Sequence, residues 1–182
     1  MISREEALEF VRAKVPNPNL VKHMLATEAV MDALAERFGE DRTLWSRAGL
    51  LHDCDLGVTE GDPARHGRVA FEMLQAMDVP EELRKAVLVH AEHAEPSSRM
   101  DRSIRTADLV TGLVTAAALV VPSKKLADVS VPSLLKRMKE KRFAANVNRD
   151  RIRACSEIGL ELEDFLGLSL GAMQRIAGDL GL

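Results

Sequence analysis

Leu50-Leu51-His52-Asp53-Cys54-Asp55 is the stretch on which the reading of this chain turns. An apolar run from Ala48 to Leu51 delivers an imidazole and a carboxylate side by side. Successive helical residues point about 100° apart, so His52 and Asp53 cannot occupy one narrow stripe. They can share one ion if it sits at a helix end and is approached from two directions. Gly57 follows closely and suits the end of such a helix. Taken alone, the dipeptide also reads as an Asp near a helix end beside a surface His. Four further residues shift the balance. His23 lies upstream on a helical pattern, Asp108 lies downstream in an otherwise apolar one, and His66 and His90 fall between.

The segments around that stretch carry helical punctuation. Ser3 with Glu6 has the spacing of a capping box, which predicts a short helix from Arg4 to Lys14. Pro16-Asn17-Pro18-Asn19 stops it, and Asn19 can cap a second helix from Leu20 to Phe38 that Gly39 ends. On that helix His23, Thr27, Val30 and Leu34 share a face, so His23 is either a ligand or a groove histidine satisfied by a carbonyl. Asp41 to Leu51 predicts a third helix with Trp45, Ala48 and Leu51 inward. Asp55 to Asp62 predicts a loop. Asp62-Pro63 suits a helix start, which places His66, with Arg65 beside it, in the first turn of a helix from Pro63 to Met77. Free N–H groups there favour anions, so this corner is either phosphate-facing or a solvated helix start. Pro80 opens a helix to about Glu92 with His90 on its apolar side, and His93 is expected to be exposed near its end.

Ser103 is the expected cap of a helix running to about Val121. Asp108 is the one acid among Ile104, Ala107, Leu109, Val110, Leu113 and Val114. An unpaired carboxylate is too costly to bury. It must face solvent, pair with Arg105 or a similar cation, or bind metal, and the histidines elsewhere favour metal.

Composition bounds the function classes. The 182 residues suit one domain with a sizeable core, and the hydrophobic fraction of 46% is ordinary for a globular protein. Tyr is absent and aromatics are 3%, so the core must be built from Leu, Val, Ile, Ala and Met. That favours helices, and it leaves no aromatic platform for stacking single-stranded nucleic acid. Net charge is −3, which argues against nucleic acid or a membrane surface as partner. Two cysteines, Cys54 and Cys155, make no disulfide framework, and a reduced cytoplasmic setting is expected. The first ten residues lack an apolar signal region, and the uncharged run Leu109 to Ser123 is too short for a membrane span. From Lys124 to Arg153 ten Lys or Arg stand against Asp128, Glu140 and Asp150. This is either a solvated helix face or a surface for a phosphate-rich substrate or partner. Asn148 then caps a helix, Gly159 breaks it, and Glu161 to Leu180 predicts a last amphipathic helix. Every strong periodic segment is helical, so the expected fold class is all-α.

His23, then His52-Asp53, then Asp108 resembles the signature of the HD-domain superfamily of metal-dependent phosphohydrolases. Leu51-His52-Asp53-Cys54-Asp55 through Pro63-Ala64-Arg65-His66-Gly67 is similar to the small bacterial HDIG-type members. The likeness extends through Ala107-Asp108-Leu109-Val110-Thr111-Gly112-Leu113 and Lys124-Lys125-Leu126-Ala127-Asp128-Val129. It implies a single compact bundle of short helices over residues 1–182, with a core at about 19–121 and a basic helical extension at about 122–182. It implies that His23, His52, Asp53 and Asp108 hold a divalent metal, with Asp53 also orienting the nucleophilic water. His66 and His90 resemble the extra histidines that complete a second metal site or hold phosphate, and Arg65 would add charge toward substrate. Donors of this kind suit Mn, Fe, Co, Ni or Zn, as one or two ions. The implied reaction is hydrolysis of a small, nucleotide-type phosphoester. In one respect the chain departs from the pattern. Many members carry Ile-Gly or a Lys just after His-Asp, where Cys54-Asp55-Leu56 stands here. Without that Lys the alternative is a non-catalytic metal- or nucleotide-binding regulatory module.

Overall fold

A computed structural model describes residues 1–182, and its regular elements are all helices with no β-strand. The helix starts follow local capping chemistry. Ser3 and Glu6 form the capping box of α1 (Arg4–Lys14). The second helix, α2 (Pro18–Phe38), begins two residues earlier than the Asn19 cap implied, because Asn17 caps it and Pro18 takes the first turn. Gly39 ends it in the left-handed region at φ 69°. Asp41 caps α3 (Arg42–Leu51).

Three segments differ from the sequence expectation. Gly57 does not end a helix; it lies within a single helical turn, α4 (Leu56–Thr59), in the segment expected to be a loop. A Cβ there would lie 2.0 Å from the Lys14 carbonyl oxygen, so glycine is required by close approach of the chain to the end of α1. The expected helix from Pro63 is delayed. Asp62 Oδ1 accepts from the Ala64 amide, Gly67 adopts φ 77°, and only then does α5 (Arg68–Gln75) begin. His66 therefore precedes that helix instead of lying in its first turn. After α6 (Glu81–His90), α7 (Arg99–Val120) starts a turn earlier than the Ser103 cap implied, because Ser98 and Asp101 form its capping box.

The C-terminal third contains a 3-10 turn (Leu126–Asp128), α8 (Val131–Lys139), α9 (Arg149–Arg153), a second 3-10 turn (Ala154–Ile158), α10 (Leu162–Arg175) and α11 (Ala177–Leu180). The last expected helix is thus broken at Ile176. One continuous core of 46 buried apolar residues includes both Met24 and Leu50 of the N-terminal half and Phe165, Leu166 and Met173 of α10. The C-terminal helices therefore share the core and are not an appendage to it. In line with the low aromatic content, Phe165 and Trp45 are the only buried aromatic rings besides histidines.

The long helices α2 and α7 are neighbours, and α3 packs closely along α2. That closeness depends on Gly49, where a Cβ would lie 2.7 Å from the Thr27 carbonyl oxygen and 2.8 Å from the Glu28 nitrogen. At 22 residues α7 is long and apolar enough to cross a membrane by composition, yet 56% of its apolar window is buried inside the molecule. Its apolar character is that of a central helix.

Candidate metal centre

Four helices converge on one cluster of side chains. His23 comes from α2, His52 and Asp53 from the end of α3, His90 from the last turn of α6, and Asp108 from the middle of α7. His66 joins them from the turn ahead of α5. His52, Asp53 and His90 are buried, while His23, His66 and Asp108 are half-buried and form the open side. The His52 ring makes edge-on contacts with the His23 and His90 rings at centroid separations of 5.1 and 4.9 Å.

The carboxylate of Asp53 lies between two groups of candidate ligands. Its Oδ2 is 3.3 Å from His52 Nε2 and 3.5 Å from His23 Nε2. Its Oδ1 is 3.2 Å from His90 Nε2 and 3.3 Å from His66 Nε2. Asp108 Oδ1 completes the first group, 3.0 Å from His23 Nε2 and 3.8 Å from His52 Nε2. The ligand atoms of His23, His52 and Asp108 lie within 4.8 Å of one another, as do those of His52, Asp53 and His90. Either triad could hold a metal ion.

What surrounds the histidines fixes their tautomers. His52 Nδ1 donates to the Gly49 carbonyl at 2.8 Å, and His90 Nδ1 donates to the Val87 carbonyl. The Thr111 hydroxyl donates to the Asp108 carbonyl at 2.7 Å, which leaves its oxygen as the acceptor for His23 Nδ1–H at 3.1 Å. His66 Nδ1 donates to Asp55 Oδ1 at 2.9 Å. Each ring proton is thereby held on Nδ1, and all four Nε2 lone pairs face inward. There they meet carboxylates and each other, His23 to His52 at 3.2 Å and His66 to His90 at 3.1 Å. Acceptors facing acceptors repel unless a cation, proton or metal, sits between them. The arrangement of donors therefore fits a metal.

The acid–base properties agree. Burial pulls the His52 ring down, but Asp53, Asp108 and the Gly49 carbonyl outweigh it and raise its pKa to about 9. Burial likewise opposes the charge on Asp53, yet the surrounding histidines hold it well below the usual carboxylate range. Asp108 is held low by His23 against the same burial. His66 is raised, against burial, by Asp55 and Asp53, whereas burial wins at His90 and lowers it.

Two contributors escape a reading of the sequence, Asp55 and Thr111. Asp55 is fully buried and accepts from His66 Nδ1, the Gly67 amide at 2.8 Å and the Ala70 amide at 3.0 Å. It fills the start of α5 that was expected to be free for phosphate. The acid two residues after Asp53 was the available signal, but nothing local distinguishes it from a loop carboxylate. Thr111, one turn after Asp108, reads from sequence as core. Other expectations shift too. Arg105 pairs with Glu92, not Asp108. Arg65 is exposed, and its side chain makes no hydrogen bond or ion pair. His93 is half-buried with an unpartnered Nε2, so it is less exposed than expected, and it is outside both triads. The cysteines are buried and unpaired, and burial pushes the Cys155 thiol up to about 11.

A family model for the HD domain matches residues 20–113, just over half of the chain. The chain belongs to the HD-domain superfamily of metal-dependent phosphohydrolases. The matched span contains every residue of the cluster. The HD-domain chain is also similar to proteins named Ribonuclease Y. The one from Sulfurovum sp. (strain NBC37-1) is 24% identical over 135 residues, covering 72% of this chain and 26% of that protein. The one from Aliarcobacter butzleri (strain RM4018) is 29% identical over 93 residues, 51% of this chain and 18% of that protein. A third, from a Nitratiruptor species, is 25% identical over 135 residues, 72% of this chain and 26% of that protein. The chain spans about a quarter or less of the length of these curated relatives. No solved structure matches it.

Proposed function

We propose that this HD-domain protein hydrolyses a small phosphoester of nucleotide type, using a divalent metal held by His23, His52, Asp53 and Asp108. The observation that carries the reading is the set of four Nε2 lone pairs, each fixed by a bond at Nδ1 and all turned toward the two oxygens of Asp53. His66 and His90, with Asp53 Oδ1, would hold a second ion or a phosphate oxygen. When bound, such an ion supplies a water of lowered pKa and neutralises charge developing on the phosphoryl group.

The chain's own residues then have separable tasks. Asp53, ionised and buried, faces both groups of ligands and positions the attacking water through an oxygen. Asp55, Thr111 and the Gly49 and Val87 carbonyls keep the imidazoles in the ligating tautomer. The buried side, built on His52 and His90, excludes solvent, and the half-buried side at His23, His66 and Asp108 admits substrate. A cavity of about 600 Å³ adjoins His23 and is lined by Lys22, Thr115, Ala116 and Leu119, among others. It is the size of an organic ligand site, and Lys22 provides the cation that is lacking after Asp53. Arg65 remains a candidate for substrate contact at the rim.

The relatives' name adds a more specific option, a phosphodiester within RNA. A panel of phosphomonoesters, cyclic and linear dinucleotides and short oligoribonucleotides, assayed with Mn, Co or Ni, tests the reading. Turnover that disappears in Asp53→Ala supports the enzyme. Tight nucleotide binding without turnover on any substrate supports the regulatory module instead.

A further inference from the structure

A second cavity, of about 460 Å³, opens between α1, α2, α3 and α10. Glu28, which lines it, is five residues after His23 and so about 140° around α2 from the metal ligands. Arg4, Arg47 and Arg175 line the same cavity, with Leu25 and Ile176 as apolar wall. Arg4 occupies both oxygens of Glu28, Nε to Oε1 at 2.9 Å and Nη2 to Oε2 at 2.8 Å. Arg47 is left with one long contact, Nη1 to Glu28 Oε1 at 3.3 Å. Its side chain is only 10% exposed, and its Nε is buried without any partner. Arg175 has no ion pair at all. The other acids in the lining do not pair with Arg47 or Arg175, since Asp32 is held by two bonds from Arg42 and Asp179 makes no ion pair with either.

Arg47 lines this void with a buried guanidinium N–H left unpaired, an unmet demand for an acceptor. The planar fork of Arg matches an oxyanion with two oxygens in one plane. The volume exceeds what an inorganic ion fills and falls in the range of small-molecule sites, and the apolar wall offers contact to an organic body. We infer that this cavity is a binding site for a small organic oxyanion, a carboxylate or a phosphomonoester, whose oxygens accept from Arg47 and Arg175. Burial pushes the Arg47 pKa down, a cost that a bound anion would offset. The site is separate from the metal cluster, so it stands or falls independently of the hydrolase reading.

The test is a titration of the ¹⁵N-labelled 182-residue chain, following the side-chain Nε–H resonance of Arg47. Inorganic phosphate and acetate are the probes, each compared with sodium chloride at matched ionic strength. A saturable shift at Arg47 with either probe is expected, and the tighter probe identifies the anion as phosphoryl or carboxyl. Arg175→Gln, an exposed change that leaves the fold intact, should weaken that binding roughly tenfold. Arg47→Met should abolish the anion's effect on thermal stability, and if it does not fold the Arg175→Gln result decides. No shift beyond that of chloride with both probes, or unchanged affinity in Arg175→Gln, would overturn the assignment.

Discussion

Asp55→Asn isolates the part of the centre that holds His66. The native carboxylate accepts three hydrogen bonds, from His66 Nδ1 and from the Gly67 and Ala70 amides, and none of it reaches solvent. An Asn offers one accepting oxygen in place of two. That oxygen should stay on the two backbone amides, because a buried N–H without an acceptor costs about 1–3 kcal/mol. The NH₂ group then points at His66 Nδ1 and turns it into an acceptor, which moves the ring proton to Nε2. A protonated Nε2 cannot ligate a metal. Stability should therefore fall by only about 1–2 kcal/mol, while metal affinity on the His66 side falls roughly 10- to 100-fold. Asp55→Ala strips the acceptor from all three donors and should cost about 3–6 kcal/mol. Urea denaturation reads the stability, and metal content after equilibration with Mn²⁺ reads the affinity. Asp55→Asn with wild-type metal content and turnover would refute the claim that Asp55 sets the His66 tautomer.

His66→Ala should leave the metal at His23, His52 and Asp108 in place but cut phosphoester turnover. A fall in metal content from two ions to one would mark a second metal site, and a slower rate at constant content a phosphate role. Gly49→Ala drives a Cβ into the backbone of Thr27 and Glu28, so it should destabilise by about 1–3 kcal/mol and displace His52, measured by thermal melting and metal content. With its pKa raised to about 9 against an ordinary value near 6.5, His52 must lose a proton to bind metal. Mn²⁺ affinity, measured by competition with a chelator, should thus rise with pH until about pH 9. In chelated protein the same raised pKa contributes about 3 kcal/mol of stability below pH 6.5, and that contribution should disappear as pH climbs through 9, visible in urea midpoints.

Local chemistry was legible in the sequence, and tertiary chemistry was not. The capping box at Ser3 and the stop at Gly39 depend on residues within one turn, and helices appear where those signals predict them. Pro63 misled because its preference for a first turn is overridden by Gly67, whose φ of 77° faces α6 at a point where a Cβ would lie 2.3 Å from that of Ala91. Asp108 stood out because a lone acid in an apolar helix needs a partner. Asp55 did not, since its acceptors are satisfied only after α5 folds back onto it. The basic segment was only half legible. Lys124, Lys125, Lys136, Lys139, Lys141 and Arg142 are exposed, but Arg149 binds the carbonyls of Phe143, Ala144 and Val147, and Arg151 pairs with Glu92. Sequence counts charges and cannot show which ones the fold has already paired.

Metal content per chain, measured by plasma mass spectrometry after Mn²⁺ loading and gel filtration, tests whether the cluster around Asp53 is a metal site when wild type is run beside Asp53→Ala. Asp53 faces both groups of candidate ligands, so at least one ion is expected per wild-type chain and far less in the variant. A wild-type chain that retains no metal, or a variant that retains as much as wild type, would contradict it.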